Sequence, residues 1–185
     1  MSIITNVRTI RLEQFPNSIW VETDENLTGL GEAWRGTAAI ETIIHHDICP
    51  WLIGQDSRNI ELISRTLLTP YVGFHSASAE IRAASAIDIA LWDLAGKRHG
   101  IPVYESLGGA SRSSIQVYNT CSGYSFNASS SAYNSGTSRR MITDKDEMRG
   151  PYDDQVAFTR DAGALAKSLL SEGYKIMKIW PFDPF

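Results

Sequence analysis

The sequence predicts an α+β fold: a three-stranded antiparallel meander with helices, followed by one βαβ unit. Three short segments within residues 3–34 are rich in β-branched residues and are separated by turn residues. Residues 77–99 carry apolar residues at helical spacing throughout. A strand, a helix and a second strand are then predicted between residues 115 and 180, and a crossover of this length requires parallel strands.

Composition excludes several classes of protein. The chain has 185 residues, of which 43% are hydrophobic and 21% charged, so it is neither disordered, nor a coiled coil, nor collagen-like. Its net charge is -4 and no basic run is longer than two residues, as at Arg139-Arg140, which argues against a nucleic-acid partner.

The cysteines and the N-terminal residues predict the cellular compartment of the protein. Cys49 and Cys121 match neither a zinc-ligand spacing nor a disulfide framework, so we predict two reduced core thiols. The first residues lack the basic and apolar regions of a signal peptide, and no apolar run is long enough for a membrane helix. These patterns predict a cytoplasmic protein without a membrane partner.

The meander is predicted from residues 3–12, 18–23 and 30–34. In the first strand, alternation places Thr5, Val7 and Thr9 on one face. Turn residues separate the strands at positions 15–17 and 24–26.

Two helices follow. Thr37 is predicted to cap the first, which Pro50 bends or ends. Asp56 or Ser57 is predicted to cap the second. The adjacent His45 and His46 point to different sides of the first helix, which excludes a shared metal.

Residues 77–99 form the strongest predicted helix, which Gly100 closes. Because only a narrow strip is polar, we expect this helix to be buried on most sides and to form the hub of the domain. Asp88 is then a buried carboxylate, and we expect it to hold backbone or a basic side chain rather than to catalyse. One apolar face is predicted to contain Ile81, Ala84, Ser85, Asp88, Trp92 and Ala95, and an adjoining one Ile87, Leu91 and Leu94.

The last third predicts strand 115–120, a mobile serine-rich loop over 125–138, helix 153–172 and strand 174–180. A single βαβ unit leaves two sheet edges exposed and cannot cover its own faces. We therefore expect further strands to come from residues outside this chain.

Three motifs carry a family resemblance. They are Gly29-Leu-Gly31-Glu32-Ala33, the segment from Ser85 to Lys97 that contains Asp88-Ile-Ala-Leu-Trp92-Asp93, and Pro102-Val-Tyr-Glu-Ser-Leu-Gly108-Gly109. In this order, and with Gly173-Tyr174 to Trp180 added, the chain resembles the mandelate racemase and muconate lactonizing branch of the enolase superfamily.

The resemblance implies an α+β capping domain over residues 1–112 and the first βαβ unit of a (β/α) barrel over residues 113–185. It also implies a lyase or isomerase that uses Mg²⁺ to stabilise the enediolate formed when a base removes the α-proton of a carboxylate. The expected partners are a small acid-sugar substrate and further copies of the chain.

The resemblance also implies the site residues. Phe15, Trp20, Trp34 and Arg35 match the two capping loops that close over substrate, and Tyr118 and Thr120 match the lining of the first barrel strand. The second barrel strand of the family carries a Lys-x-Lys pair, which reads Lys178-Ile179-Trp180 here. Lys178 is thus expected to contact the substrate carboxylate, whereas Trp180 replaces the lysine base and cannot accept a proton.

The family's three metal ligands are expected beyond Phe185, so residues 1–185 alone are expected not to be catalytic. With Trp180 at the base position, a histidine on a later strand becomes the expected base, which favours dehydration. Two alternatives stay open: a racemase or cycloisomerase of the same family, and a non-enzymatic capping or oligomerisation module.

Overall fold

A computed structural model of the chain describes residues 1–11, 17–33, 36–69, 78–123, 147–150 and 153–179, without the side chains of residues 17–21. The chain divides into two compact units, residues 1–111 and 112–185, and each is described by itself. Among the described residues, no helix combines the length and the apolar composition needed to span a membrane.

The first unit contains the predicted antiparallel meander. Its strands are β1 (Ile4–Ile10), β2 (Asn17–Thr23) and β3 (Thr28–Ala33), in the spatial order β1-β2-β3. The predicted face of β1 is wrong at Thr5, which is exposed, while Ile4 and Val7 are both buried. The reason is a bulge: Ile4 pairs with Thr23 and Asn6 with Glu22, so Thr5 is an extra residue that breaks the alternation.

The helices after the meander begin differently from the prediction. Helix α1 (Thr37–Thr42) starts at Thr37 itself, since Gly36 occupies the N-cap in a left-handed conformation. A π-helical turn (Ile43–Ile48) and helix α2 (Cys49–Leu52) continue it without a break, so Pro50 lies inside this helical run and does not end it.

Helix α3 (Ile60–Leu68) starts later than predicted because Asn59, not Asp56 or Ser57, precedes its first turn. The Asp56 carboxylate instead accepts hydrogen bonds from the backbone and side chain of Arg58 in the preceding turn. Pro70, expected beyond the helix, lies outside the described residues.

Helix α4 (Ala79–His99) is the predicted hub, and Gly100 ends it in a left-handed conformation. The adjoining face of Ile87, Leu91 and Leu94 is fully buried. The face assigned to Ser85 and Asp88 is wrong, since Ser85 is exposed and Asp88 only half-buried. The core instead takes small residues from α4, namely Ala83, Ala84, Ala86 and Ala90.

These small residues let the sheet approach α4 closely. A Cβ at Gly29 would lie 2.1 Å from the Ala90 carbonyl oxygen, and one at Gly31 would lie 1.9 Å from the Ala86 carbonyl oxygen. No side chain fits at either distance, so the packing of β3 on α4 requires both glycines. Helix α5 (Val103–Ser106) completes the unit.

The second unit contains the predicted βαβ order: β4 (Asn119–Thr120), α6 (Asp154–Ser171) and β5 (Met177–Lys178). The two strands pair in parallel, as predicted. Both are shorter than predicted, because each is paired over two residues and Ile115 to Tyr118 precede the ladder as exposed backbone. The serine-rich segment 125–138 lies outside the described residues.

Helix α6 is broken, which the sequence pattern did not predict. Asp161 has φ -156° and ψ 91°, and its Oδ1 accepts a hydrogen bond from the Ala164 N–H at 2.9 Å. Asp161 thus acts as a cap for the second half of the helix. Leu170, near the end of this helix, is 61% exposed, and the small core consists of Cys121, Phe158, Leu165 and Leu169.

Candidate functional site

The candidate site lies on the parallel pair β4 and β5. The Asn119 N–H donates to the Ile176 carbonyl at 3.0 Å, and the Cys121 N–H donates to the Lys178 carbonyl at 3.1 Å. These bonds fix a register in which Thr120 lies beside Lys178 and Asn119 beside Met177. The register therefore brings a residue of the first predicted barrel strand next to one of the second.

The two faces of this pair differ. Cys121, Met177 and Ile179 belong to the apolar cluster formed with α6. Because side chains alternate along a strand, Thr120 and Lys178 lie on the opposite face, away from the helix. In a closed (β/α) barrel the helices surround the strands, so this is the face that a barrel turns inward.

Lys178 and Tyr118 meet on that face. The Lys178 Nζ lies 5.7 Å from the centroid of the Tyr118 ring, within the range of a cation–π interaction. Tyr118 is 52% exposed, Lys178 is exposed and Thr120 is half-buried. The face thus offers an ammonium group and two hydroxyls to solvent.

This combination suits a hydroxylated anion. A lysine ammonium has three donors and forms charge-assisted hydrogen bonds with carboxylates, while serine-type and phenolic hydroxyls both donate and accept. The described face therefore presents groups that can bind and orient such a molecule, and among the described residues we identify no group on it that is placed as a general base.

The helix-facing side is polar at one point. The Asn119 Nδ2 donates to the Asp154 Oδ2 at 3.1 Å. Burial raises the pKa of Asp154, and the nearby carboxylates of Glu172 and Asp153 raise it further, against the lowering effect of the Asn119 bond. A cavity of about 250 Å³ between β4 and α6 is lined by Asn119, Asp154 and Glu172, among others.

Both cysteines are buried and unpaired, as predicted. Burial raises the pKa of the Cys49 thiol, and burial together with the charge of Asp154 raises the pKa of the Cys121 thiol. A raised pKa favours the neutral thiol, so both side chains act as core residues rather than nucleophiles.

Five predicted site residues are not placed by these observations. Phe15, Trp34, Arg35 and Trp180 lie outside the described residues, and so does the side chain of Trp20. The backbone of Trp20 lies in β2, where it pairs with Arg8 on one side and Leu30 on the other. Of the predicted set, Tyr118, Thr120 and Lys178 are the residues that the described structure brings together.

A magnesium site needs oxygen ligands, chiefly carboxylates, gathered around one point. Within the described ranges, no group of three or more His, Cys, Asp or Glu side chains could hold a metal ion. The described residues therefore supply no complete ligand set for the metal that the family resemblance implies, whose ligands are expected beyond Phe185.

Sequence reasoning did not find the contact between Tyr118 and Lys178 or the pairing of Asn119 with Asp154. Each pair is far apart in sequence, and its members meet only through the parallel register and the packing of α6. The one available signal is the family's Lys-x-Lys pattern, which singles out Lys178.

The chain matches known proteins over both units. Residues 5–108 match the sequence family described as Mandelate racemase / muconate lactonizing enzyme, N-terminal domain. Among curated relatives, D-galactonate dehydratase of Ralstonia pickettii (strain 12J) is 38% identical over 122 residues, covering 65% of this chain and 31% of the relative. D-mannonate dehydratase of Rhizorhabdus wittichii is 37% identical over 107 residues, covering 56% of this chain and 26% of the relative.

Solved structures agree in fold. An enolase protein from environmental sequencing of the Sargasso Sea is 46% identical, with a TM-score of 0.75, and covers 99% of this chain and 41% of its own. An enolase from Pantoea ananatis, with bound D-gluconate and Mg, is 28% identical, with a TM-score of 0.69, and covers 97% of this chain and 37% of its own.

The matches thus span between a quarter and a third of the length of these curated relatives and about two fifths of the solved ones. The profile match covers more than half of the chain. The chain belongs to the mandelate racemase and muconate lactonizing family of the enolase superfamily, whose N-terminal domain it carries.

Proposed function

We propose that this fold serves an acid-sugar dehydratase, and that Tyr118, Thr120 and Lys178 form part of the wall that binds the substrate. The observation that carries the proposal is the shared face of these residues, on which an ammonium group lies beside two hydroxyls. Relatives that dehydrate D-galactonate and D-mannonate, at 38% and 37% identity, support the substrate class.

Lys178 is assigned to the substrate carboxylate. Its ammonium group is exposed and is held near the Tyr118 ring, which limits where the charge lies. The Thr120 and Tyr118 hydroxyls are assigned to hydroxyl groups further along the sugar chain, since they lie on the same face as the ammonium group.

The reaction assigned is loss of water across two neighbouring carbons. A base takes the proton from the carbon next to the carboxylate, the hydroxyl on the following carbon leaves with a proton as water, and the resulting enol becomes a 2-keto-3-deoxy acid. Trp180 stands where the family has its second lysine, and an indole cannot accept the proton. We therefore assign the base to a residue outside the described set, and the chemistry to one face of the substrate.

Magnesium remains the proposed cofactor, in keeping with the metal bound in the Pantoea ananatis enolase. The described residues supply no ligand set for it, so no step of the reaction is assigned to it here. A protein limited to residues 1–185 is expected to bind the acid without converting it. A homo-oligomer in the cytoplasm also remains our prediction.

The test is turnover by the protein expressed as its gene encodes it, with Mg²⁺ and a panel of aldonic and aldaric acids that includes D-galactonate, D-mannonate and D-gluconate. Formation of a 2-keto-3-deoxy acid is the expected result. Lys178→Met is expected to lower kcat/KM at least about 100-fold, since a charge-assisted contact in a partly closed site is lost.

Lys175→Met is the matched control, because Lys175 is an exposed lysine just before the same strand and should leave turnover unchanged. Equal losses for the two variants would refute the assigned role of Lys178. Exchange of the α-proton with solvent deuterium without loss of water would identify a racemase or cycloisomerase. No reaction and no exchange with any acid would refute the dehydratase proposal.

A further inference from the structure

Strand β3 is an edge of the three-stranded sheet, because the spatial order is β1-β2-β3. On an edge strand every second residue turns its N–H and C=O away from the sheet, and these groups are a template for another strand. A free edge of this kind is a route to unwanted pairing between copies of a protein.

Two side chains of α4 occupy this edge. The Leu30 N–H donates to the Asp93 Oδ2 at 2.8 Å, and the Lys97 Nζ donates to the Thr28 carbonyl at 2.7 Å. Lys97 also donates to the Asp93 Oδ2 at 2.7 Å, so the two side chains are joined across one helical turn. One outward donor and one outward acceptor of β3 are thereby taken by the protein itself.

The opposite edge is covered in a different way. The backbone of residues 54–56 runs beside β1, where the Ile4 N–H donates to the Gln55 carbonyl at 2.9 Å and the Gly54 N–H to the Ile4 carbonyl at 2.9 Å. Main chain thus protects the start of β1, whereas in the described part of the chain two charged side chains of α4 take the corresponding role at β3.

We propose that Asp93 and Lys97 block the edge of β3 and so keep it from pairing with β3 of a second copy of this chain. The Leu30 side chain, which is exposed, would add apolar area to such a pairing.

The test compares two charge pairs with the same spacing. Asp93→Ala with Lys97→Ala removes the edge contact, and Glu61→Ala with Arg65→Ala removes an exposed pair on α3, joined at 2.6 Å, that does not touch the sheet edge. Weight-average mass is measured by sedimentation at rising protein concentration, with circular dichroism as the measure of folding. We expect at least a twofold rise in mass for the first variant and the wild-type mass for the second.

A third substitution locates the association. Leu30→Pro removes an N–H that β2 does not use, so the sheet is kept while β3 loses a donor for a new strand. Added to the Asp93 and Lys97 variant, it is expected to restore the wild-type mass. Association that persists with Leu30→Pro would place the contact elsewhere and overturn the proposal.

If the double variant does not fold, Lys97→Met replaces it, because the methionine keeps the packing of the lysine stem while freeing the Thr28 carbonyl. A smaller but measurable rise in mass is then expected. A folded variant whose mass equals that of the wild type at every concentration would overturn the proposal.

Discussion

The two units of the chain use similar elements but differ in how completely they bury them. Among the described residues, the apolar core of residues 1–111 contains seventeen buried side chains, and that of residues 112–185 contains four. In the first unit a helix covers one face of the sheet, and both edges are at least partly occupied. In the second unit a two-stranded sheet has a helix on one face and exposed side chains on the other. The first arrangement is a stable unit by itself, whereas the second needs covering on the face that carries Lys178.

The carboxylates show the same contrast. In the first unit the Arg58 side chain lowers the pKa of Asp56 by hydrogen bonding, and a bond from Asn6 lowers the pKa of Glu22. In the second unit burial raises the pKa of Asp154. The charged forms of Asp56 and Glu22 are thus stabilised in the first unit, whereas the charged form of Asp154 is destabilised by burial in the second. Four measurements test this comparison.

The largest effect is expected for Gly31→Ala. The new Cβ would overlap the Ala86 carbonyl oxygen, so β3 and α4 must separate, at a cost of about 3 kcal/mol or more. Hydrogen exchange of peptides from α4 and from α6 measures the two units separately. Gly163→Ala is the control, because its Cβ would meet a single side-chain atom, the Asp161 Oδ1, at 3.3 Å, which a small shift relieves. A change of within about 1 kcal/mol is expected there.

The next effect compares the two cores. Leu94→Ala should cost about 3 kcal/mol, because Leu94 is fully buried in the large core and its surroundings collapse little. Leu169→Ala should cost about 2 kcal/mol, since a core of four side chains relaxes more easily. Leu170→Ala, at an exposed position, should cost almost nothing. Equal costs for Leu94 and Leu169, measured by exchange at α4 and α6, would mean that the second core is as rigid as the first.

The pH dependence of stability should have opposite signs for one carboxylate of each unit, Asp56 and Asp154. The folded pKa of Asp56 is below its ordinary value of 3.8, so its stabilisation is present above that pH and is lost as the pH falls below it. The folded pKa of Asp154 is above 3.8, so stability falls as the pH rises from 3.8 through the raised folded pKa. Asp56→Asn should therefore lower stability at pH 7, and Asp154→Asn should raise it. Urea unfolding between pH 3 and pH 7 measures both, and a loss of stability at pH 7 for Asp154→Asn would contradict the role of burial.

The smallest effect is expected for Lys178→Met. Because Lys178 is exposed, the free energy of unfolding should change by less than about 0.5 kcal/mol. Hydrogen exchange of peptides from α6 measures this free energy of unfolding, and Lys175→Met serves as the comparison. A much larger loss would make Lys178 a structural residue and would weaken the binding role proposed for it.

The sequence predicted the elements better than their ends. The meander, the hub helix and the parallel βαβ unit were each predicted by periodicity, and each is present. The caps were wrong because Gly36 and Asn59 precede the helices without any side-chain capping bond, so the usual preference for Thr37 or Asp56 did not apply. The face of β1 was wrong because a bulge adds one residue, and a period-two pattern has no way to show it.

The site was predicted only in part. Family resemblance pointed to Tyr118, Thr120 and Lys178. That these residues share a face depends on the register of two strands separated by α6, which no local pattern contains. The break at Asp161 depends on its bond to the Ala164 N–H, which a count of apolar residues does not include.

The π-helical turn after α1 has a consequence for chain length. Ile40, Ile44, Ile48 and Leu52 are all buried, at a constant stride of four residues. In a regular α-helix each such step overshoots a full turn by about 40°, and three steps would carry Leu52 about 120° away from the core. The wider turn at Ile43–Ile48 absorbs that excess. Deleting one residue there would leave the buried residues four, three and four positions apart, which is the ordinary α-helical spacing. The π-helical turn therefore accommodates one extra residue while every apolar side chain of this face stays buried.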